Sequence, residues 1–171
     1  MFKNIANFKN TNDYLPLFNA VLITDLIVIL LLHMKIIDSN VLKKWYREYN
    51  LSAVIADVLI ILIGLIITRA IYYYIFDTFS ILKFTTLAVI VQIIHDILFY
   101  MFFANIPRGF NKMLDTFKDY ANEVSYYAII ADSCMMISSS LIASFIANYN
   151  LNTNIIIFIV SMYMLPYLVY I

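Results

Sequence analysis

The sequence predicts an all-α polytopic membrane bundle of about five transmembrane helices, and three observations carry that prediction. Hydrophobic residues make up 64% of the 171 residues and charged residues only 13%, against about 45–50% and about 25% in soluble domains. The apolar residues are gathered into five runs near the length of about 20 residues that a helix needs to cross hydrocarbon. Lipid leaves backbone polar groups only helices or closed barrels, and these runs are about twice as long as a barrel strand. A soluble fold of this composition would expose large apolar patches.

The predicted spans are residues 17–37, 53–76, 84–104, 127–147 and 155–171 of one transmembrane domain. Residues 1–13 are polar, and Lys3 and Lys9 precede the first apolar run as they would in a signal peptide. The run is too long for a typical signal core and no small-x-small cleavage site follows, so it is expected to be retained as a span. The fifth run is short and contains Pro166. Span four carries a small-residue stripe, Ser140, Ser144 and Ala147, which nominates it as the bundle centre.

Between spans one and two, residues 41–49 (Val41-Leu42-Lys43-Lys44-Trp45-Tyr46-Arg47-Glu48-Tyr49) mix aromatics with charges. After span three, Pro107-Arg108-Gly109 breaks the helix. In residues 110–122, Met113, Leu114, Phe117 and Tyr120 then recur at helical spacing opposite Lys112, Asp115, Lys118 and Asp119. Both segments are predicted as interfacial helices at headgroup level. These loops, with Lys35 at the edge of the first, hold seven Lys and Arg, against three on the other side. The bias places both loops and the C-terminus in the cytoplasm and the N-terminus outside.

A tandem duplication is predicted as well. Ile23-Thr24-Asp25 answers to Ile94-His95-Asp96, and Tyr46-Arg47-Glu48-Tyr49 to Phe117-Lys118-Asp119-Tyr120. After four extra residues in the second copy, Ala53-Val54-Ile55-Ala56-Asp57 answers to Ala128-Ile129-Ile130-Ala131-Asp132. The chain reads as two copies of a helix hairpin plus one extra helix, related by an axis along the membrane normal.

The candidate intramembrane polar site comprises Asp96, His95, Gln92, Tyr100, Asp25 and Arg69. An aspartate at the bilayer centre costs about 2.5–3.5 kcal/mol on insertion scales, so such residues face the bundle interior and either hold helices together or mark a pathway. Asp25 and Arg69 lie about 12 and about 10.5 Å from the outer ends of their predicted spans, so they are expected to pair. Gln92, Asp96 and Tyr100 share one helix face, with His95 about 100° away. Asp57 and Asp132 lie near helix starts, where carboxylates cap free N–H groups. A His–Asp couple at His95 and Asp96 is the best candidate for proton relay.

Other chemistry is missing from the sequence. The formal net charge is zero, with no basic stripe for nucleic acid. One cysteine, Cys134, excludes an internal disulfide, a CxxC pair and a cysteine zinc site. No phosphate-binding glycine loop, GxSxG elbow, HExxH motif or potassium filter occurs, and no cofactor or metal is expected. With only two glycines, there is no GxxxG motif, and the broken helices common in transporters are not foreshadowed.

The stretch Gln92-Ile93-Ile94-His95-Asp96-Ile97-Leu98-Phe99-Tyr100, then Pro107-Arg108-Gly109, Lys118-Asp119-Tyr120 and Ala131-Asp132-Ser133-Cys134-Met135-Met136-Ile137, resembles small polytopic membrane proteins of nucleocytoplasmic large DNA viruses. The likeness covers residues 92–144, about a third of the chain. Abundant Ile, Asn, Lys and Tyr fit an AT-rich genome. The resemblance implies a protein of the virion inner membrane or of infected-cell membranes, and supplies no activity. The reading it joins is a non-enzymatic integral membrane protein, structural or organising. Its partners would be the bilayer and a capsid or other membrane protein, with self-association open. The alternative is a small ion channel or proton-coupled carrier working through the intramembrane Asp, His and Arg residues. A membrane-embedded enzyme ranks third.

Overall fold

The computed structural model describes residues 2–170, so the last residue of the fifth predicted span lies outside the described residues. A 3-10 turn (Thr11–Asp13) leads into α1 (Tyr14–His33), followed by α2 (Asn40–Tyr49), α3 (Leu51–Ile75), α4 (Ile81–Ala104), α5 (Lys112–Val124), α6 (Tyr127–Ile146) and α7 (Leu151–Val169). Among the described residues there is no strand. Five helices are long and apolar enough to cross a membrane. The chain is a multi-pass, all-α integral membrane protein.

Helix ends follow carbonyl satisfaction rather than hydropathy. The first span was expected to run to Ile37, yet α1 stops at His33. Lys35 takes a left-handed φ of 58°, and the N–H groups of Ile36 and Ile37 both turn back to the Leu31 carbonyl at 3.0 and 3.2 Å. This closes the helix end although the next residues are apolar. At α7 the reverse occurs. Asn150 accepts from Thr153 N at 2.8 Å, which starts the helix earlier than expected. Pro166 falls in its last turn, where a lost N–H matters least.

The duplicated landmarks reappear as duplicated geometry. Ser39 caps α2 by accepting from Leu42 N, and Asn111 caps α5 by accepting from Met113 N and Leu114 N. A single residue, Asn50, joins α2 to α3 with φ 48° and ψ −124°. Ser125 ends α5 with φ 50° and ψ −129°. In both, the N–H bonds back into the short helix (Tyr46 O, Ala121 O) and the carbonyl accepts from the next helix (Ala53 N, Ala128 N). A non-glycine residue in such a conformation costs about 1–3 kcal/mol, and the chain adopts it at both corresponding corners. The extra residues of the second copy fall in α5, which has 13 residues against 10 in α2.

The four long helices of the two hairpins form a ring in which α1 and α4 each pack against both α3 and α6. That order is the one a two-fold axis along the bundle would produce. Gly64 lies where α3 meets α4 and α6: a Cβ there would stand 2.8 Å from Met136 Cε and 3.6 Å from Gln92 Oε1. The seventh helix breaks the symmetry by packing outside α1. In consequence α1, not α6, is the most enclosed span, with 61% of its most apolar stretch buried against 33% for α6. The small stripe of span four therefore serves as the surface on which α1 seats. Ser139, Ser140, Ala143 and Ser144 are fully buried, and Ser139 Oγ donates to Thr24 Oγ1 at 3.1 Å. A leucine wedge at this contact, Ser139→Leu, is expected to cost about 1–3 kcal/mol through overpacking. Cys134→Leu, on the exposed side of the same helix, should stay within about 0.5 kcal/mol. Equilibrium unfolding in detergent measures both, and equal losses would mean that α6 is seated differently.

The polar N-terminal segment is part of the bundle. Ile5 and Ala6 are fully buried, Lys3 N donates to Ser144 O at 3.0 Å, Ser144 Oγ donates to Lys3 O at 2.5 Å, and Asn4 Nδ2 donates to Tyr73 Oη at 2.7 Å. This segment closes the end of the bundle opposite α2 and α5.

Candidate functional site

The four aspartates of the spans lie at a common level. Asp25 and Asp96 sit about two turns before the ends of α1 and α4, and Asp57 and Asp132 in the second turns of α3 and α6. All four are thus in the half of the membrane nearest α2 and α5. Counted from its true ends, α1 carries Asp25 away from Arg69, which lies near the far end of α3.

The expected Asp25–Arg69 pair is therefore not formed. Arg69 Nη2 faces Asp13 Oδ2 at 3.6 Å and donates to the carbonyls of Asn7 at 2.5 Å and Asn10 at 2.9 Å, with the guanidinium 4.7 Å above the Tyr14 ring. Both charged side chains have no exposed surface. Asp13 also receives Lys3 Nζ at 3.2 Å and Asn10 Nδ2 at 2.8 Å. The sequence reading sought a partner only inside the spans. Asp13, at the entrance of the first span and on the same side as Arg69, was the overlooked signal.

Asp25 belongs to a different centre. Tyr46 Oη lies 2.9 Å from Asp25 Oδ1 and 2.9 Å from Asp57 Oδ2, and Trp45 Nε1 donates to Asp57 Oδ2 at 3.0 Å. Burial, then Asp57 and Asp25, hold the Tyr46 phenol well above its ordinary range, so it remains a neutral donor. A phenol has one proton to give. With both contacts short, one of the two carboxyls must itself donate a proton to the phenol oxygen. Asp57 is therefore not a helix cap. It is an anchor that ties α2 to α3, while Tyr46 ties the same helix to α1. Trp45 and Tyr46 were outside the sequence-predicted site, although a buried indole N–H and phenol generally need partners.

In the second hairpin Gln92 Nε2 donates to Asp96 Oδ1 at 2.6 Å, and His95 turns its Nδ1 to the same oxygen at 3.3 Å, with its ring stacked on Phe99. Gln92, Asp96 and His95 come together. Tyr100 does not: it is 54% exposed and packs edge-on against Phe103. Four residues per turn overshoot the helical period slightly, and the Tyr100 ring faces the outer surface. Asp132 is half-buried, and among the described residues its carboxylate has no hydrogen bond or ion pair; it does not cap α6, whose N-cap is Tyr126. Tyr120 of α5 looks onto both hairpins. Its phenol is raised above the ordinary range by burial and then by Asp132, Asp57, Glu123 and Asp96.

Above this cluster α2 and α5 are locked together. Trp45 lies 5.0 Å from Phe117, Tyr49 Oη contacts Thr116 Oγ1 at 2.8 Å and donates to Lys112 O at 2.9 Å, and Lys112 pairs with Glu48 at 3.1 Å. Glu123 accepts from Ser39 Oγ at 2.6 Å and from Val41 N at 3.2 Å. Among the described residues, no three His, Cys, Asp or Glu side chains are grouped so as to hold a metal ion. Comparison with family models, curated proteins and solved structures gives no match.

Proposed function

We propose that the protein is a non-enzymatic membrane organiser that presents the joined α2–α5 pair as a rigid platform on the cytoplasmic face of a viral internal membrane. One observation carries this reading. Two buried acidic groups are spent on holding the platform, since Asp25 and Asp57 hydrogen-bond with Tyr46 and Trp45 at 2.9–3.0 Å. The charged outer side of the pair, with Lys44 and Arg108 both directed to Asp119, is the surface a capsid or scaffold partner would meet. The basic bias of these loops supports their cytoplasmic placement.

A second reading, a proton-coupled carrier, is favoured by the shared proton of Asp25 and Asp57 and by the unpartnered carboxylate of Asp132. Proteoliposomes of the full chain loaded with a pH-sensitive dye separate the two. The organising reading expects proton flux equal to that of protein-free vesicles, and no change in Asp96→Asn. It also expects Trp45→Ala to raise amide exchange in α2 and α5 together. Flux above the empty-vesicle level that Asp96→Asn abolishes would replace it with the carrier.

A further inference from the structure

At the face that bears α2, the ends of α1 and α7 leave a cleft of about 460 Å³ whose lining includes Leu32, His33, Lys35, Lys43, Arg47 and Val169. Its position is the boundary between the membrane-spanning helices and the interfacial layer, and Leu32 and Val169 give it a buried apolar wall. Among the described residues that line it, the charge is one-sided. Lys35, Lys43 and Arg47 contribute three cations and no acid lines the cleft; Asp38 is paired to Lys43 at 2.6 Å on the exposed rim. Lys43 and then Lys35 hold the Asp38 carboxyl below its ordinary range. Among the described residues the Lys35 and Arg47 side chains make no hydrogen bond or ion pair.

These cations are not spent on the helix ends beside them. The Leu30, Leu31 and Leu32 carbonyls accept from Met34, Ile36 and Lys35 N–H groups. The Leu168 carbonyl has His33 Nε2 at 2.7 Å, and Pro166 O accepts from Tyr170 N. Two unpaired cations beside an apolar wall at headgroup depth match the chemistry of an anionic phospholipid, with phosphate for the cations and acyl carbon for the wall. A neutral zwitterionic headgroup would bring its own ammonium into a field that is already positive.

We propose that this cleft is a binding site for an anionic phospholipid, its phosphate held by Lys35 and Arg47 with Lys43 at the rim. The proposal rests on the membrane-spanning fold and is independent of the organising reading. The lipid would brace α2 against α1 and α7 at the end of the bundle that the N-terminal segment does not close.

Native mass spectrometry and thermal unfolding of the full chain in detergent, with phosphatidylglycerol or phosphatidylcholine added, test it. The expected result is retention of and stabilisation by phosphatidylglycerol alone, weakened about 30-fold in Lys35→Gln/Arg47→Gln. Lys9→Gln/Lys83→Gln removes equal charge at the opposite face and should bind as the wild type does. Lys35→Gln alone, at an exposed position, should show about half the effect on a logarithmic scale if the double variant unfolds. Equal binding of both lipids, or equal weakening in the opposite-face variant, overturns the site. Stabilisation by inorganic phosphate to the same degree as by the lipid would show a free-anion site and also overturn it.

Discussion

Arg69→Ala is expected to lower the unfolding free energy by about 3 kcal/mol, because the buried Asp13 carboxylate keeps Lys3 and Asn10 but loses its one fully buried cation, and the Asn7 and Asn10 carbonyls lose their donor. No discount for solvent screening applies, since neither side chain has exposed surface. The loss should reach beyond the pair. Arg69 also donates to the Asn7 and Asn10 carbonyls, so it pins the segment that buries Ile5 and Ala6 at the end of the bundle. Amide exchange over residues 3–13 should rise before that of α1. Asp13→Asn should cost less, since Arg69 keeps two carbonyls and the face of Tyr14. Asp13→Asn with Arg69→Gln should be milder than the sum of the single changes. Additive losses in that cycle, or an N-terminal segment whose exchange is unaltered, would show that the pair does not do this.

Tyr46→Phe removes one oxygen that serves two carboxyl groups. Asp57 retains Trp45, but Asp25 is left with no partner: it is fully buried, and its Oδ2 already has none. Orphaning a buried polar group costs about 1–3 kcal/mol, and the complete isolation of Asp25 places the expected loss near 3 kcal/mol. Replacing both partners with apolar groups is far milder than removing one, so Tyr46→Phe with Asp25→Val should recover most of the stability. Unfolding in detergent gives the four corners of the cycle. A double variant as unstable as the two losses added together would remove Tyr46 from the role of clamp. In the single variant α2 should also become the first helix to exchange, because its main tie to α1 is gone.

The comparison of sequence with structure turns on what a linear reading can measure. Length and apolar content are local, so the membrane class, the five spans and the order of long and short helices were legible. The matching order of the two hairpins was legible too, because Asp25, Asp57, Asp96 and Asp132 keep their places and the aromatic-basic-acidic-tyrosine run marks each short helix. The stripe of Ser140, Ser144 and Ala147 was legible as a close-packing surface, although the helix it seats and the adjoining Ser139–Thr24 contact were not.

What the tertiary structure alone decided is which polar groups meet. Helix ends shifted by a few residues move a side chain by a large part of the membrane half-thickness, at about 1.5 Å per residue. The left-handed Lys35 that closes α1 early thus places Asp25 with Tyr46 and Asp57 rather than with Arg69. Rotation about the helix axis is equally invisible in depth alone, and it separates Tyr100 from Gln92 and Asp96. The folding back of a polar segment supplied Arg69 with Asp13. An unpaired charge in hydrocarbon must find a partner, and the chain offered one outside the spans. Sequence by itself determined how many helices cross the membrane and that their charges had to be paired. Three-dimensional packing determined the pairing, because partner choice depends on depth, rotation and the path of the connecting chain together.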